Sequence, residues 1–424
     1  MANTHTLLTP TIIAREALML LKNNMVMGSN VYRDYEAEFP GSPKKGGTVT
    51  IRKPVKFQVT KARTRTTSNI TENSITLTVA TQAHVSWQFY MKDLTLTIEE
   101  YSNRYIRPAA AVLANTVDAD LCALYDDVYN TVWESTGYVN PATFMVLGKA
   151  HQRLDEEAVP PSDRVVIFNP AAHWSMANAL SNWNFREGGE QALRKGYLSR
   201  IANSDIFMDQ NIKTHQTGMW HTGTGTDGTG LEVATGAPTG TVGSGGTTIL
   251  ALADFDIVNT IVLRTGDVFT IARCYAVNPM SGQSTGALRQ FVVTADVSCG
   301  SAGTTTEVAV SVYIQPDMIH TGAYKTVYSF PSGGAAVDVV GYVNHVIPQN
   351  LAFHKNAFAL VMVPLEKPDG QWGSTVTEDG FSIRIVKDYS IDADEESIRM
   401  DILYGVKTIY PEFAVRIMGE GVSV

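Results

Sequence analysis

The chain has 424 residues, a formal net charge of −9 and a charged fraction of 18%. That fraction lies below the roughly 25% that is usual for soluble globular proteins, which indicates that other chains cover part of the surface. A hydrophobic content of 44% excludes global disorder. The length allows two or three domains with a sizeable core.

The sequence has no segment typical of an export signal or a membrane span. Its N-terminal stretch lacks a basic start, and Arg15 and Glu16 interrupt the apolar run. Nothing approaches the ~18 consecutive apolar residues that a spanning helix needs. The three cysteines, Cys122, Cys274 and Cys299, are too few and too scattered for a disulfide framework. We therefore expect reduced thiols in a cytoplasm.

The positive charge is concentrated in one segment. Between Glu38 and Glu72 there is no acidic residue, whereas eight basic residues lie there: Lys44, Lys45, Arg52, Lys53, Lys56, Lys61, Arg63 and Arg65. The rest of the chain carries −17 once these eight charges are taken from the total of −9. The segment is either a solvated face or a contact surface for an acidic partner. Nucleic acid and an acidic patch on a second copy of the chain are the candidate partners.

The first predicted elements are a helix and a long hairpin. Thr9–Pro10 is typical of a helix start, and the apolar spacing after it predicts a helix to about Met25. Apolar and polar residues then alternate over 48–59 and over 75–89, on either side of the polar stretch 60–74. This pattern predicts a two-stranded hairpin with a polar tip. Because an isolated hairpin is only marginally stable in water, it must pack against something else.

The longest helical pattern follows the hairpin, from about Leu94 to Tyr129. Its apolar seam consists of Leu113, Val117, Leu121, Leu124 and Val128. Pro108 must begin this helix or kink it, because its ring removes a hydrogen bond. The seam is too short for a coiled coil, so we expect it to pack on a sheet.

Residues 140–212 have a mixed α/β pattern. A helix is predicted from Asn140 to about Glu157, and 164–168 is typical of a short buried strand. A second helix after Asn169 is expected to place three residues inward: Trp174, Ala177 and Leu180.

The composition changes at Thr214. Residues 214–248 are dominated by Thr and Gly, and no helical period appears between 214 and 350. Short strands are predicted instead at 260–264, 268–277, 288–297, 307–314 and 336–346. Their spacing predicts an antiparallel barrel or sandwich inserted as a unit. Three further strands, at 381–388, 397–406 and 413–418, close the chain.

Two motif matches lack the context that their chemistry needs. Segment 223–228 matches the dinucleotide fingerprint, but no helix follows that would hold a pyrophosphate. Segment 282–286 matches the nucleophile elbow, but strands flank it, so a hairpin loop is expected. His215 and His221 show no zinc-type spacing and are expected in loops. We expect the acidic runs, such as 155–157, to be solvated or in salt bridges, and we expect no enzyme, cofactor or metal.

Several stretches resemble a known family. They are Gly266–Ala272, Ala276–Pro279, Gln290–Thr294, Asn350–Lys355 and Asp401–Gly405. Together with the order of arm, basic hairpin, long helix, α/β unit and inserted β unit, they resemble the tailed-bacteriophage major capsid proteins of the Hong Kong ninety-seven type. Within that type they are similar to the P-twenty-two-like coat proteins, which carry an extra β-barrel. The resemblance covers essentially the whole chain and is weakest at 1–45 and 214–248.

The resemblance implies an α+β phage capsid fold. Its parts would be an N-terminal arm (1–45), an E-loop hairpin (46–92), a spine helix with the peripheral domain (93–139), an axial domain in two parts (140–213 and 349–380), an inserted antiparallel β-barrel domain (214–348), and C-terminal strands of the peripheral domain (381–424).

The resemblance also implies a function. The subunits would assemble as hexamers and pentamers into an icosahedral shell that encloses double-stranded DNA and contacts it only weakly. Scaffolding protein and portal would take part in assembly, a cement or decoration protein would be a further partner, and the virion capsid would form in the bacterial cytoplasm with no membrane contact.

In such proteins the E-loop reaches over a neighbouring subunit. The candidates for this contact between subunits are Lys53, Lys56, Lys61, Arg63 and Arg65. Some relatives crosslink their chains through a lysine of this hairpin. Because no catalytic carboxylate is identifiable, we expect no crosslink.

Two alternative functions fit part of the sequence. Another phage virion protein, such as a decoration or tail component, fits the inserted β unit but not the long helix. A nucleic-acid-binding protein fits the basic hairpin, but the chain is acidic overall, and 60–74 contains no aromatic residue on which a base could stack.

Overall fold

The structure is a computed structural model of the chain. It describes residues 10–34, 47–57, 59, 61, 63–65, 72–90, 102–135, 137–181, 200–201, 203–220, 231–233, 248–253, 255, 261–299, 310–368, 370, 372–390 and 395–423. The chain divides into two compact units: unit 1 is Met1–Ile51, Ile75–Cys122 and Phe358–Ile409, and unit 2 is Arg52–Ser74, Ala123–Ala357 and Tyr410–Val424. No helix in these described ranges is both long enough and apolar enough to cross a membrane.

The described elements are helices, short turns and many strands. The helices are α1 Pro10–Asn24, α2 Met27–Asn30, α3 Arg107–Cys122, α4 Phe144–Glu156 and α5 Pro170–Ser181, with a π-helical turn at Ser102–Ile106 and 3-10 turns at Ala123–Asp127, Lys355–Ala357 and Pro411–Phe413. The strands are β1 Thr48–Arg52, β2 Ser74–Thr78, β3 Thr81–Tyr90, β4 Thr131–Trp133, β5 Arg164–Phe168, β6 Ser204–Met208, β7 Thr214–Gln216, β8 Glu232–Val233, β9 Thr248–Ala253, β10 Ile261–Leu263, β11 Val268–Val277, β12 Ser284–Val293, β13 Val297–Ser298, β14 Val310–Gln315, β15 Val337–Val339, β16 His345–Pro348, β17 Asn350–His354, β18 Phe358–Met362, β19 Trp372–Glu378, β20 Phe381–Ser390, β21 Glu395–Thr408, β22 Ala414–Met418 and β23 Val422–Ser423.

Unit 1 is built around the long strand β21. Strands β3, β18 and β20 all pair antiparallel with β21, and β19 pairs with β20. Helix α1 packs on β19, β20 and α3. Its buried residues recur at helical spacing and are Ala14, Ala17, Leu18 and Leu21. The predicted start of α1 near Pro10 and its end near Met25 are therefore confirmed.

The predicted long helix is shorter than the sequence pattern indicates. Helix α3 begins at Arg107, so Pro108 lies in its first turn, as expected. It ends at Cys122, and Ala123–Asp127 continues as a 3-10 turn, so the helix predicted to reach Tyr129 is wrong at this end. The tighter turn brings Tyr125 into a buried hydrogen bond with His215 (3.2 Å). The predicted beginning near Leu94 lies outside the described residues.

A buried carboxylate organises the end of the N-terminal segment within unit 1. Asp118 of α3 accepts hydrogen bonds from the backbone N–H groups of Val26 (2.6 Å) and Gly28 (2.9 Å). These groups begin α2, whose first-turn N–H groups would otherwise be unsatisfied. Part of the expected N-terminal arm (1–45) is therefore an ordered short helix.

The second arm of the predicted hairpin consists of two strands. Only β2 pairs with β1, whereas β3 pairs with β21 over ten residues. The prediction of one continuous strand over 75–89 is thus wrong. The alternation of side chains cannot distinguish the two arrangements, since in both β2 and β3 the buried or half-buried apolar residues lie on one face.

Unit 2 contains a mixed sheet with the order β4-β22-β17-β5-β6. Strand β5 pairs parallel with β6 and antiparallel with β17, and β4 pairs parallel with β22. Helices α4 and α5 pack against this sheet. In α5 the inward residues are Ala172, Met176 and Ala177. The prediction that Trp174 faces inward is wrong, because its side chain is 59% exposed, and the side chain of Leu180 lies outside the described residues.

The inserted β unit is a nearly closed antiparallel barrel. Its sheet has the order β15-β11-β12-β14-β9-β8. Backbone hydrogen bonds from Val233 to Ala335 (3.0 Å) and from Val337 to Leu231 (2.8 Å) join the first and last strands. Apolar side chains fill the interior, among them Leu250, Leu252, Phe269, Phe291, Val312 and Ile314. The nearly closed sheet therefore encloses a hydrophobic core of its own and leaves few open strand edges.

Strand pairing refines the end of the inserted segment and of the chain. The single strand predicted over 336–346 is two strands, β15 in the barrel and β16 in a small sheet with β7 and β23. Strand β22 pairs with β17 and β4, whereas the sequence grouped it with β20 and β21. The named domain boundaries themselves stay a prediction.

Candidate interaction site on the basic hairpin

The base of the basic hairpin is an ordered two-stranded ribbon. On one face of β1 and β2 the side chains of Ile51 and Leu77 are buried, while the opposite face is polar and exposed. Beyond the strands, the N–H of Lys53 donates to the carbonyl of Asn73 (2.8 Å), which continues the pairing by one step. The ribbon therefore has a covered apolar face at its base.

The apolar face of the hairpin continues beyond the residues whose side chains are buried. Phe57 and Val59 continue the alternation of Ile51, but their side chains are 73% and 84% exposed. The alternation in the sequence places them on the face of Ile51. The alternation does not show which of these apolar residues are covered by other parts of the chain. The exposure of Phe57 and Val59 therefore could not be predicted from the sequence.

One candidate cation differs from the others in its surroundings. Lys53 is half-buried, and its Nζ lies 5.1 Å from the centre of the Tyr410 ring. Burial lowers the pKa of Lys53, although the Glu412 carboxylate opposes this effect. The next candidate, Lys56, has an exposed side chain, but its backbone N–H donates to the hydroxyl of Tyr324 (3.3 Å). The hairpin thus contacts its own chain at these two points.

The remaining candidate cations face solvent. The side chains of Lys56, Lys61, Arg63 and Arg65 are exposed. Nearby, Arg52 and Glu72 form a loose, exposed ion pair with 3.7 Å between the charged atoms. The structure therefore separates Lys53, which is half-buried beside Tyr410, from four exposed cations. The role of all five in subunit contact stays a prediction, and Lys44 and Lys45 lie outside the described residues.

Two carboxylates of the acidic run 155–157 form ion pairs, as expected. Glu157 accepts a hydrogen bond from Arg289 (2.5 Å), and Asp155 accepts one from Arg164 (2.6 Å). Arg289 is buried and also lies over the Tyr129 ring, at 4.6 Å. Burial lowers the pKa of Arg289, but Glu157 and Tyr129 outweigh it and raise the pKa above its ordinary value. These pairs join α4 and its flanking segments to neighbouring strands.

The prediction that His215 lies in a loop is wrong. It belongs to β7, is buried, and bonds through Nε2 to Asp267 (2.8 Å) and through Nδ1 to the hydroxyl of Tyr125 (3.2 Å). This line of three groups has the hydrogen-bonding pattern of a catalytic relay. All three side chains are buried, so a substrate could not reach them.

Of the two motif matches, one lies within the described residues and one lies outside them. Residues 278–283 form the tight connection between the paired strands β11 and β12, so segment 282–286 is a hairpin and not a strand-to-helix elbow. The described residues contain no cluster of His, Cys, Asp and Glu that could hold a metal. Segment 223–228 and His221 lie outside the described residues.

Comparison with known proteins identifies the family. The description of the matching family is "P22 coat protein - gene protein 5", and the match covers residues 1–419. No curated protein sequence matches the chain. Among solved structures, the Mycobacterium phage Che8 chain is 15% identical with a TM-score of 0.48, over 93% of this chain and 90% of that one. The capsid of the cyanophage P-SCSP1u is 11% identical with a TM-score of 0.44, over 89% and 84% of the two chains.

A third solved structure matches a smaller share of the chain. The CUS-3 coat protein I-domain is 23% identical, with a TM-score of 0.19, over 26% of this chain and 95% of that one. The structural similarities are low, so the assignment rests on the family match, which covers nearly every residue. The chain belongs to the P22 coat protein family and is a major capsid protein of a tailed bacteriophage.

Proposed function

We propose that identical subunits associate as hexamers and pentamers into an icosahedral shell, and that the basic hairpin of each subunit docks on an acidic surface of its neighbour. One observation carries the proposal: Lys56, Lys61, Arg63 and Arg65 are exposed on a chain that is otherwise strongly acidic. A second copy of the chain is therefore electrostatically complementary to the hairpin.

The energetics of such a contact favour assembly without affecting the fold. An exposed ion pair contributes about 0.2–1 kcal/mol, so one hairpin adds little to the stability of its own subunit. A closed shell repeats the contact at every subunit, and the small contributions sum. Since salt screens exposed charges, high ionic strength should weaken association.

Other parts of the chain receive roles in the same proposal. Helix α3 is the spine of the peripheral domain, the mixed sheet with α4 and α5 belongs to the axial domain, and the barrel is the inserted domain. Scaffolding protein, portal and a cement protein are the proposed partners during assembly in the host cytoplasm. An acidic wall would contact packaged double-stranded DNA only weakly, because phosphate contacts depend on basic side chains.

We propose no catalytic step and no crosslink. Among the described residues, the strongest catalytic resemblance is the buried line Tyr125, His215 and Asp267, which has a structural place between β7 and the barrel. Folding and self-association are the whole mechanism, with no cofactor.

The experiment reverses the four exposed hairpin charges to Glu and measures shell yield by negative-stain microscopy. Yield should fall sharply, and acidic-to-basic changes on the neighbouring surface should restore part of it. The matched control reverses four exposed basic residues elsewhere: Arg107, Lys149, Lys355 and Lys407. If the hairpin variant builds normal shells but packages less DNA, the hairpin contacts the genome and the proposal is wrong.

A further inference from the structure

A sharp turn of the barrel enters a buried socket within unit 2. The turn Arg264–Asp267 joins β10 to β11, and the Asp267 carboxylate closes it by accepting the backbone N–H of Arg264 (2.7 Å). Gly266 donates its N–H to the carbonyl of Val293 (2.8 Å), which fixes the turn to the barrel wall. The turn is therefore a rigid projection of the barrel.

The socket consists of groups outside the barrel. Arg416 of β22 donates from Nη1 to the carbonyl of Gly266 (2.7 Å). His215 of β7 bonds to Asp267 (2.8 Å), and the N–H of Gly218 donates to the same carboxylate (3.0 Å). All of these groups are buried, so each bond is shielded from water.

The bottom of the socket leaves little room for a side chain at Gly266. A Cβ at Gly266 would lie 2.6 Å from Oδ1 of Asp126 and 3.2 Å from Cε1 of His215. The φ of +95° at Gly266 is also a conformation that side chains disfavour. A substitution at Gly266 therefore pushes the turn out of the socket.

The socket also holds two opposite charges that do not form an ion pair in this arrangement. Nε and Nη2 of Arg416 and Oδ1 of Asp126 are buried and have no hydrogen-bond partner among the described residues. Burial lowers the pKa of Arg416 to about 10 and raises the pKa of Asp126, while attraction between the two opposes both shifts. The Asp126 oxygen that lacks a partner is the same atom that a Cβ at Gly266 would meet.

We propose that the turn and its socket form a latch with two arrangements. In the closed arrangement the turn is inserted, and Arg416 donates to Gly266. In the open arrangement the turn is withdrawn, and Arg416 pairs with Asp126, so the charges that the turn leaves behind satisfy each other. Because each arrangement has its own partner for Arg416, the barrel has two defined states against the mixed sheet.

The test compares two glycines of the barrel that both have positive φ. Gly266→Ala introduces the steric conflict, whereas Gly322→Ala at φ +85° meets nothing within 4 Å and controls for backbone strain. Spin labels at M145C on α4 and M280C in the β11–β12 connection report the distance from the mixed sheet to the barrel. Both methionines are exposed, and the three native cysteines are buried.

The latch predicts one narrow distance distribution in the parent and in Gly322→Ala, and a second, separate distance in Gly266→Ala. Exchange of the Gly218 amide hydrogen should become at least about ten-fold faster in Gly266→Ala, the equivalent of one lost hydrogen bond. Exchange in the barrel strands β9 and β14 should stay unchanged. A Gly266→Ala protein that matches Gly322→Ala in both measurements overturns the proposal.

A further variant separates a latch from a merely structural contact. Asp126→Asn removes the charge that the open arrangement needs, so Asp126→Asn added to Gly266→Ala should shift the distances back toward the closed value. A structural role alone predicts that the double variant is perturbed at least as much as Gly266→Ala. If Gly266→Ala does not fold, His215→Gln replaces it, because it weakens the same socket without a steric conflict. The distances in His215→Gln are then compared with those in the double variant His215→Gln with Asp126→Asn, by the same criterion.

Discussion

The basic hairpin and the joint between the barrel and the mixed sheet both depend on basic side chains, but they use them in opposite ways. Lys56 and Arg63 stand in water at the end of a ribbon, while Arg289 and Arg416 are buried between elements of unit 2. An exposed cation keeps its hydration on folding, and its ion pairs contribute little to the stability of the subunit. A buried cation has lost its hydration, so the surrounding protein groups must compensate for that loss, and the stability of the subunit depends on them.

This difference assigns the two regions to different levels of organisation. Charges that remain hydrated in one subunit are available for contacts between subunits, and salt can weaken them. Charges that are buried with carboxylates, carbonyls and tyrosine rings hold one subunit together and are largely insensitive to salt. The following predictions test that separation by substituting charges in each region.

The largest effect on folding is expected at Arg289. Arg289→Met removes the partner of the Glu157 carboxylate, whose side chain is only 13% exposed. The free energy of unfolding should fall by about 3 kcal/mol, the lower end of the range for a broken buried pair. Urea unfolding of the unassembled subunit measures the loss. The double variant Arg289→Met with Glu157→Gln should recover more than half of it, because no charge is then left buried alone. A loss in Arg289→Met similar to that of a surface substitution would remove the distinction between the two regions.

The next effect is a pH-dependent one in unit 1. Asp401 is fully buried and accepts hydrogen bonds from Arg384 (2.8 Å) and Arg399 (2.6 Å). Burial raises the pKa of Asp401, but the two arginines outweigh it and hold the pKa below the ordinary 3.8. A lowered pKa in the folded state means that the stabilisation is complete above the unfolded value and disappears as the pH falls through the folded value.

Asp401→Asn should therefore lower the free energy of unfolding by about 2 kcal/mol at neutral pH, as expected for hydrogen bonds to a charged group. The difference between parent and variant should shrink as the pH falls below about 4, where the parent carboxylate becomes protonated. Unfolding curves at several pH values measure it. A difference that stays constant with pH would show that the carboxylate charge does not contribute.

A smaller effect distinguishes two lysines three residues apart in the hairpin. Lys53→Ala should destabilise the subunit by about 0.5–1 kcal/mol, because it removes the cation over the Tyr410 ring. Lys56→Ala should stay within about 0.5 kcal/mol of the parent, as surface substitutions do. Thermal unfolding measures both, and Tyr410→Leu should make the two lysine variants equivalent. If Lys53→Ala and Lys56→Ala changed the stability of the parent equally, Lys53 would contribute no more to the fold than an exposed cation.

The sequence predicts most elements and the broad architecture because the relevant signals are local. Pro10 and Pro108 mark helix beginnings, and the loss of helical period after Thr214 marks the barrel. Alternation alone did not determine which strand β3 joins, since partner choice depends on contacts more than 300 residues away in the chain. The inward face of α5 was predicted in part. Ala177 is buried as expected, but Trp174, two residues from the buried Ala172 and Met176, is exposed.

The candidate site was predicted only in part. A run of cations is visible in the sequence, but the burial of Lys53 under Tyr410 requires two segments more than 350 residues apart. The joint in unit 2 has no sequence signal of its own. Arg289 and Arg416 are single basic residues within apolar strands, and only the fold brings Glu157 to one and Gly266 to the other.

The smallest effect on folding is expected from the exposed hairpin charges themselves. Reversal of Lys56, Lys61, Arg63 and Arg65 to Glu should change the free energy of unfolding of the unassembled subunit by less than about 0.5 kcal/mol, since none of these side chains is buried. The sequence alone would have included Lys53 in this set, but its half-buried position would mix a folding effect into the result.

Salt sharpens the same prediction. Raising the ionic strength to about 1 M shortens the screening length to about 3 Å, so exposed pairs between subunits lose most of their attraction. Parent shells should therefore form less readily at high salt, while the melting temperature of the parent subunit and that of the four-charge variant stay close together at low and high salt. Light scattering follows assembly and circular dichroism follows melting on the same samples. If the four-charge variant melts several degrees lower at low salt and regains the parent value at high salt, the hairpin charges belong to the fold of the single chain, and the two regions use charge in the same way.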